Sequence, residues 1–257
     1  MSQTEHLRLE IGESVATLTI DRPAKRNAMS FAMWSALPEL MRRVADSTAR
    51  ALVVRGGEHF CAGADISEFS TLRAGADGAQ RYSEAVHAGE RALATLDRPT
   101  IAAITGCCIG GGCEIALACD IRVASTDARF GITPAKLGLV YHFTSTKRLV
   151  DVVGPAWAKQ VLFSADIFDA DTALRIGLVN ELHGRNVLHA KAFELAQRIA
   201  SRAAVSVRGA KTIINTIVDG GGHDDPDVLA AYVRSHSSAE YAEGVAAFLQ
   251  KRQPRFG

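Results

Sequence analysis

The chain has 257 residues, 47% of them hydrophobic and 22% charged, with 29 Lys and Arg against 28 Asp and Glu for a formal charge of +1. That apolar content can offset the entropy of ordering a compact core, so a disordered or fibrous protein is excluded. A near-zero charge without a dense Lys/Arg patch offers no basic field for nucleic acid, which is not an expected partner.

The opening MSQTEHLRLE carries acidic residues and no apolar h-region, which argues against a secretory signal or transit peptide and makes a cytoplasmic address the expectation. Val15 to Ile20 is β-branched and alternating, and predicts a strand closed by Asp21-Arg22-Pro23. Ser30 is placed to cap a helix in which Trp34, Leu37, Met41 and Val44 recur at three- and four-residue steps, with Pro38 expected to kink or shorten it. Ala51 to Val54 reads as a buried strand. Tyr82, Val86, Gly89, Leu93 and Leu96 mark a second amphipathic helix, and Thr100 to Ile104 a third strand. Ile121 to Ala124 and Leu178 to Leu182 predict two more. Short apolar strands separated by helices imply parallel pairing and an α/β fold. From Leu188 onward the pattern is helical, with a break at Gly220-Gly221-Gly222 and apolar positions such as Tyr241, Val245 and Phe248 that call for a covering partner.

Thr100 to Cys119 is nearly free of charge, but Glu114 and several glycines interrupt it, so it reads as buried core and no membrane partner is expected. The five cysteines, Cys61, Cys107, Cys108, Cys113 and Cys119, form neither a disulfide accounting nor a zinc spacing, and read as small buried hydrophobes. Motifs for Rossmann and P-loop nucleotide binding, zinc proteases and serine hydrolase elbows do not occur. No metal site is expected.

Two segments stand out chemically. One is His59 to Glu68, a turn of small residues after a strand. The other is Gly106 to Ile115, in which Gly110-Gly111-Gly112 leaves backbone N–H groups bare at the start of an apolar helical run, where orphan donors and the helix dipole favour negative charge. Such donors are what an oxyanion demands. Glu114 follows Gly111 by three residues and so lies on the same helix face. Its carboxyl among apolar neighbours is costly unless paired, protonated or used.

Phe60-Cys61-Ala62-Gly63-Ala64-Asp65-Ile66 and Gly110-Gly111-Gly112-Cys113-Glu114 resemble the two signature segments of the enoyl-CoA hydratase/isomerase (crotonase) superfamily. The resemblance extends over Asp21-Arg22-Pro23, Asn27-Ala28, Asp120, Phe130-Gly131, Gly138, Gly177-Leu178-Val179 and the stretch from Glu243 to Arg252. It implies a crotonase-like spiral of ββα turns, with a core over residues 1–190 and a C-terminal helical trimerisation region over 191–257. It also implies a homotrimer or a dimer of trimers, and an acyl-CoA substrate whose coenzyme A is part of the substrate and not a cofactor. Ala64 and Gly111 would supply the two amides that hold the thioester oxygen, with Glu114 as acid/base. Lys25 to Ala28, with Ala62, Asp65 and Ile66, would line the coenzyme A site, and Phe248 and Lys251 of a neighbouring subunit would approach its nucleotide end.

Hydratases of this family use a second glutamate after the Phe-Gly pair, where this chain reads Ile132-Thr133-Pro134-Ala135-Lys136-Leu137-Gly138. Pro134 stands in that place, and proline has no proton to give. Pro134, Leu139 and His142 are expected around the acyl group. Tyr141 is either a catalytic hydrogen-bonding group or a core aromatic. The stretch from Thr133 to Tyr141 is similar to methylmalonyl-CoA decarboxylase, which makes decarboxylation of a malonyl-type thioester an alternative to hydration or isomerisation. A member that binds acyl-CoA without turnover is a third.

Overall fold

Alternating apolar residues open the chain with two strands, β1 (Leu7–Ile11) and β2 (Val15–Ile20), paired antiparallel. The computed structural model describes residues 5–256. Helix α1 (Phe31–Ala45) starts where Ser30 Oγ accepts the Met33 N–H at 3.2 Å, and β3 (Ala51–Arg55) follows it. A short α2 (Phe69–Leu72) leads into α3 (Gly75–Ala94), then β4 (Thr100–Ile104), β5 (Cys107–Ile109) and α4 (Gly111–Ala118). Next come β6 (Ile121–Ser125), β7 (Arg129–Gly131), the long α5 (Phe143–Ser164), β8 (Phe168–Asp169), α6 (Ala170–Arg175) and β9 (Glu181–His183). Four helices complete the chain: α7 (Arg185–Ala200), α8 (Ala204–Val218), α9 (Pro226–His236) and α10 (Ala239–Leu249).

The main sheet has the order β1-β2-β3-β4-β6-β9 and is parallel from β2 onward; a small second sheet has the order β5-β7-β8. This is the expected α/β class, built as a mixed sheet with helical crossovers. Strand residues alternate between its two faces. Leu18, Leu52, Val54, Ala102 and Ala124 join the larger core with Trp34, Tyr82 and Leu93 of α1 and α3. Val15, Ala51, Val53, Ile101 and Val123 face the other way, onto Leu188, Ala192, Ala196 and Ala200 of α7. Helix α7 therefore lies on the sheet, and it runs through position 190.

Two expectations are corrected. Pro38 does not shorten helix α1, which continues past it to Ala45. Proline removes the N–H that would bond the Trp34 carbonyl, yet α3 closes over that oxygen: a Cβ at Gly89 would stand 3.0 Å from Trp34 O, so the bare glycine lets the two helices touch there. The strand expected over Leu178 to Leu182 begins only at Glu181. Leu178 and Val179 both donate to Ala173 O, at 2.9 and 3.3 Å, so these apolar residues close the end of α6 and leave the ladder to the residues after them.

The last three helices form an arm. Lys211 Nζ of α8 ties it to the core through Arg98 O at 2.9 Å and Asp120 Oδ2 at 2.8 Å, and Glu240 of α10 accepts the first N–H groups of α8. Tyr241, Val245 and Phe248 are exposed on it, Phe248 by 83%. Among the described residues no helix is long and apolar enough to cross a membrane.

Candidate active site

The two glycine-rich turns meet beside α1. In the first, Met29 N donates to Gly63 O at 2.7 Å and Asp65 N to Met29 O at 2.9 Å, which leaves the Ala64 N–H on the other side of this extended segment. In the second, Gly110 N donates to Gly131 O at 2.8 Å, so β7 fixes the residue from which α4 springs. Gly111 is the first residue of α4, where an amide has no intrahelical acceptor. Among the described residues neither the Ala64 nor the Gly111 N–H has an acceptor. The turns are in contact: a Cβ built on Gly111 would lie 3.4 Å from Ala64 N, and one on Gly63 would lie 3.7 Å from Gly111 N. Gly63 has φ +107°, a conformation an L side chain rarely adopts. Two bare amides so placed suit an oxygen that acquires negative charge.

Glu114 lies one helical turn along, 6% exposed. Its Oε1 is 3.4 Å from Ser145 Oγ of α5. Burial pushes its pKa well above the usual carboxylate range; the nearby Glu90 adds to the rise, while Ser145, Arg73 and Arg148 oppose it. A carboxyl in that state can give a proton as well as take one. Tyr141 sits against the start of α4, its hydroxyl donating to Gly110 O at 3.4 Å, and burial followed by the charge of Glu114 holds its pKa high.

The remaining expected site residues fall on four segments of the chain. Asp65 is buried, caps the turn Ile66–Glu68 and pairs with Arg22 Nη1 at 2.8 Å, with Lys25 Nζ 4.0 Å away. Ala28 and Ala62 lie beside that ion pair: the Ala28 carbonyl accepts from Arg22 Nη1 and Ala62 N donates to Arg26 O. Ile66 is exposed by 57%. Pro134 opens the turn Pro134–Leu137, Leu139 is exposed after it, and His142 precedes α5 with Nδ1 3.5 Å from Ser83 Oγ. Burial lowers the His142 pKa, with His87 and Arg73 adding to the effect. Phe248 and Lys251 stand exposed on the C-terminal arm.

Four of the five cysteines are buried as expected, while Cys107 is half-buried; all five are free, and burial pushes the Cys61 thiol up to about 12. Among the described residues no group of three or more His, Cys, Asp and Glu could hold a metal ion.

Sequence reasoning missed three residues that bear on Glu114: Ser145 of α5, which touches it, and Glu90 of α3 and Arg148 of α5, which act on it electrostatically. Glu90 carried a signal. It falls four residues after Val86 and three before Leu93, on the stripe that buries α3, and it is 1% exposed. Arg73 was missed as well. Its guanidinium carbon lies 3.9 Å from the Phe69 ring centroid and 4.1 Å from that of Tyr82, and among the described residues its Nε has no hydrogen-bond partner.

Residues 10–257 match the sequence profile of the enoyl-CoA hydratase/isomerase family. A crotonyl-CoA hydratase of Syntrophomonas wolfei is 34% identical, with 98% of each chain covered. A short-chain-enoyl-CoA hydratase of Clostridium acetobutylicum is 37% identical over 95% of each. The crystal structure of an enoyl-CoA hydratase/isomerase family protein from Hyphomonas neptunium superposes with a TM-score of 0.96 at 36% identity, covering 100% of this chain and 99% of that one. A profile matched over nearly the whole length, relatives above 30% identity and a shared fold place this chain in the enoyl-CoA hydratase/isomerase family.

Proposed function

We propose that the protein acts on a short-chain enoyl-CoA thioester, as a hydratase or a double-bond isomerase, through an enolate-like intermediate. The observation that carries this reading is the meeting of two unpartnered amides, Ala64 and Gly111, one helical turn from the buried carboxyl of Glu114. The thioester oxygen accepts from both amides and gains negative charge as the double bond is attacked or a proton is removed; each such donor is worth about 10²–10³ in kcat. Glu114 moves the proton, a contribution of about 10²–10⁴. Coenzyme A enters as part of the substrate and lies along Lys25, Ala28, Ala62, Asp65 and Ile66. The acyl group reaches towards Pro134, Leu139 and His142. The exposed apolar side chains of the C-terminal arm are covered in a trimer or a dimer of trimers, where Phe248 and Lys251 of one subunit meet the nucleotide end bound by the next.

A second reading, decarboxylation of a malonyl-type thioester, is favoured by Arg73, a half-buried cation that has no carboxylate partner among the described residues and acts electrostatically on Glu114. That reaction needs the two amides but no proton from Glu114 to start it.

Turnover across crotonyl-CoA, a 3-enoyl-CoA and methylmalonyl-CoA separates the readings. Hydration or isomerisation, with exchange of the substrate's α or γ protons abolished in Glu114→Gln, is the expected result. Full exchange in that variant removes Glu114 from the mechanism. Release of CO2 supports the second reading, and tight binding with every thioester intact means that the protein is an acyl-CoA-binding member without turnover.

A further inference from the structure

Three helices bring a second carboxyl to Glu114. Glu90 Oε1 accepts from Ser145 Oγ at 2.9 Å, and the same Oγ is 3.4 Å from Glu114 Oε1. Arg148 Nη1 stands 3.5 Å from Glu90 Oε1, and His87 Nδ1 3.8 Å from Oε2. Among the described residues Glu90 Oε2 has no hydrogen-bond partner.

A serine hydroxyl has one proton and two acceptor lone pairs. As donor the hydroxyl reaches both carboxyls, but its one proton serves the shorter contact better, and at the longer one an Oγ lone pair is free to accept a proton carried by Glu114. Two ionised carboxyls sharing one serine in a buried site are strongly disfavoured, and such pairs retain a proton.

We propose that Glu90 is a positioning residue for the acid–base step: through Ser145 it keeps one proton on the chain Glu114–Ser145–Glu90 and takes that proton up when Glu114 must be a base. In the exchange, the Glu114 proton bonds to Ser145 Oγ as the Ser145 proton passes to Glu90. Two O–H bonds break and two form, the net transfer is one proton, the pair stays singly charged, and the negative charge shifts from Glu90 to Glu114. Pro134 leaves the segment after β7 without a carboxyl, and Glu90 supplies a second proton site from the opposite side. Charged and titratable groups facing the pair are His87 and Tyr82 from α3, Arg148 from α5, Arg73 from the segment before α3, and Tyr141 and Cys61 from the loops around α4. Burial raises both carboxyls towards neutrality; Arg148 and then Ser145 restrain Glu90.

The inference rests on Glu114 as the acid/base group, but its test reads the pair without substrate. Infrared titration of the buried protonated-carboxyl band, assigned by its change in Glu114→Gln, follows the Glu114 proton directly. In Glu90→Gln the neighbouring charge is gone, and the Glu114 band titrates at least about one pH unit lower. The pH profile of proton exchange on crotonyl-CoA moves with it, and kcat falls about tenfold or more at unchanged KM. Ser145→Ala, which keeps both charges, slows exchange similarly and serves if Glu90→Gln fails to fold. A Glu114 band that titrates unshifted in folded Glu90→Gln overturns the proposal. So does full exchange in folded Ser145→Ala, if Glu114→Gln abolishes it. A shifted band together with full exchange in Glu114→Gln instead keeps the coupled pair and removes the catalytic reading.

Discussion

Gly111→Ala separates the amide pair from the fold that carries it. The added methyl would stand 3.4 Å from Ala64 N and 3.2 Å from Trp34 Cζ2. An oxygen accepting from Ala64 has to sit about 2.9 Å from that nitrogen. Non-bonded carbon contacts prefer about 3.5 Å or more, so the methyl crowds an oxygen approaching that nitrogen. Losing one donor of such a pair costs about 10²–10³ in kcat, or about 3–4 kcal/mol of transition-state stabilisation. The fold is expected to survive. The Trp34 ring has to give by a few tenths of an ångström, and an alanine in a helix gains up to about 1 kcal/mol over glycine. The neighbouring glycine is the control: a Cβ at Gly112 would run into the Cys61 carbonyl, so Gly112→Ala destabilises by about 1–3 kcal/mol through overpacking. Hydration of crotonyl-CoA, followed by loss of the enoyl thioester absorbance, and thermal melting give the two readouts. If Gly111→Ala keeps kcat within about twofold of the parent at an unchanged melting temperature, the amide pair does not hold the reacting oxygen.

Two further outcomes concern stability and pH. The Glu90–Glu114 pair is raised in the folded state, so between the unfolded and folded values the native chain holds more protons than the unfolded one. Stability from this pair is therefore greatest in mild acid and declines as pH rises through the folded values, by about 1.4 kcal/mol per pH unit for each proton retained. Denaturation midpoints of Glu90→Gln/Glu114→Gln should lose this decline; an unchanged decline would refute the assignment. Asp65 has the opposite sign. The Ser67 hydroxyl, and after it Arg22, holds its carboxyl below the usual range, so its contribution is present above the unfolded value and is lost as pH falls through the folded one. Asp65→Asn should cost about 1.5–3 kcal/mol at neutral pH in chemical denaturation, and weaken binding of a non-reactive acyl-CoA in calorimetry through the loosened turn.

What was legible in the sequence follows from the range over which each signal acts. The cap at Ser30, the stripe of α1 and the strands β2, β3, β4 and β6 are written in residues a few positions apart, and the helical tail likewise. The second sheet was missed because its strands have two or three residues, and Cys107–Ile109 pairs with Arg129–Gly131 through contacts that no local periodicity announces. The first strand was missed for a different reason. Leu7 is buried, but Arg8, Glu10 and Ile11 leave only a weak alternation at a sheet edge.

The two glycine turns were legible because each carries its chemistry locally: a helix start without side chains has bare amides wherever the rest of the chain lies. The carboxyl pair was not, because positions 90, 114 and 145 come from three separate helices. At position 90 a polar residue on a buried stripe reads first as an interruption in the pattern. It becomes a functional signal when the cost of burying it is asked for: a carboxylate 1% exposed must be paired, protonated or used. Among the described residues the guanidinium paired with it, that of Arg148, stands at 3.5 Å, and one of its oxygens has no hydrogen-bond partner. Pairing is thus incomplete, a shared proton covers the remainder, and the residue sharing that proton is the glutamate beside the amide pair.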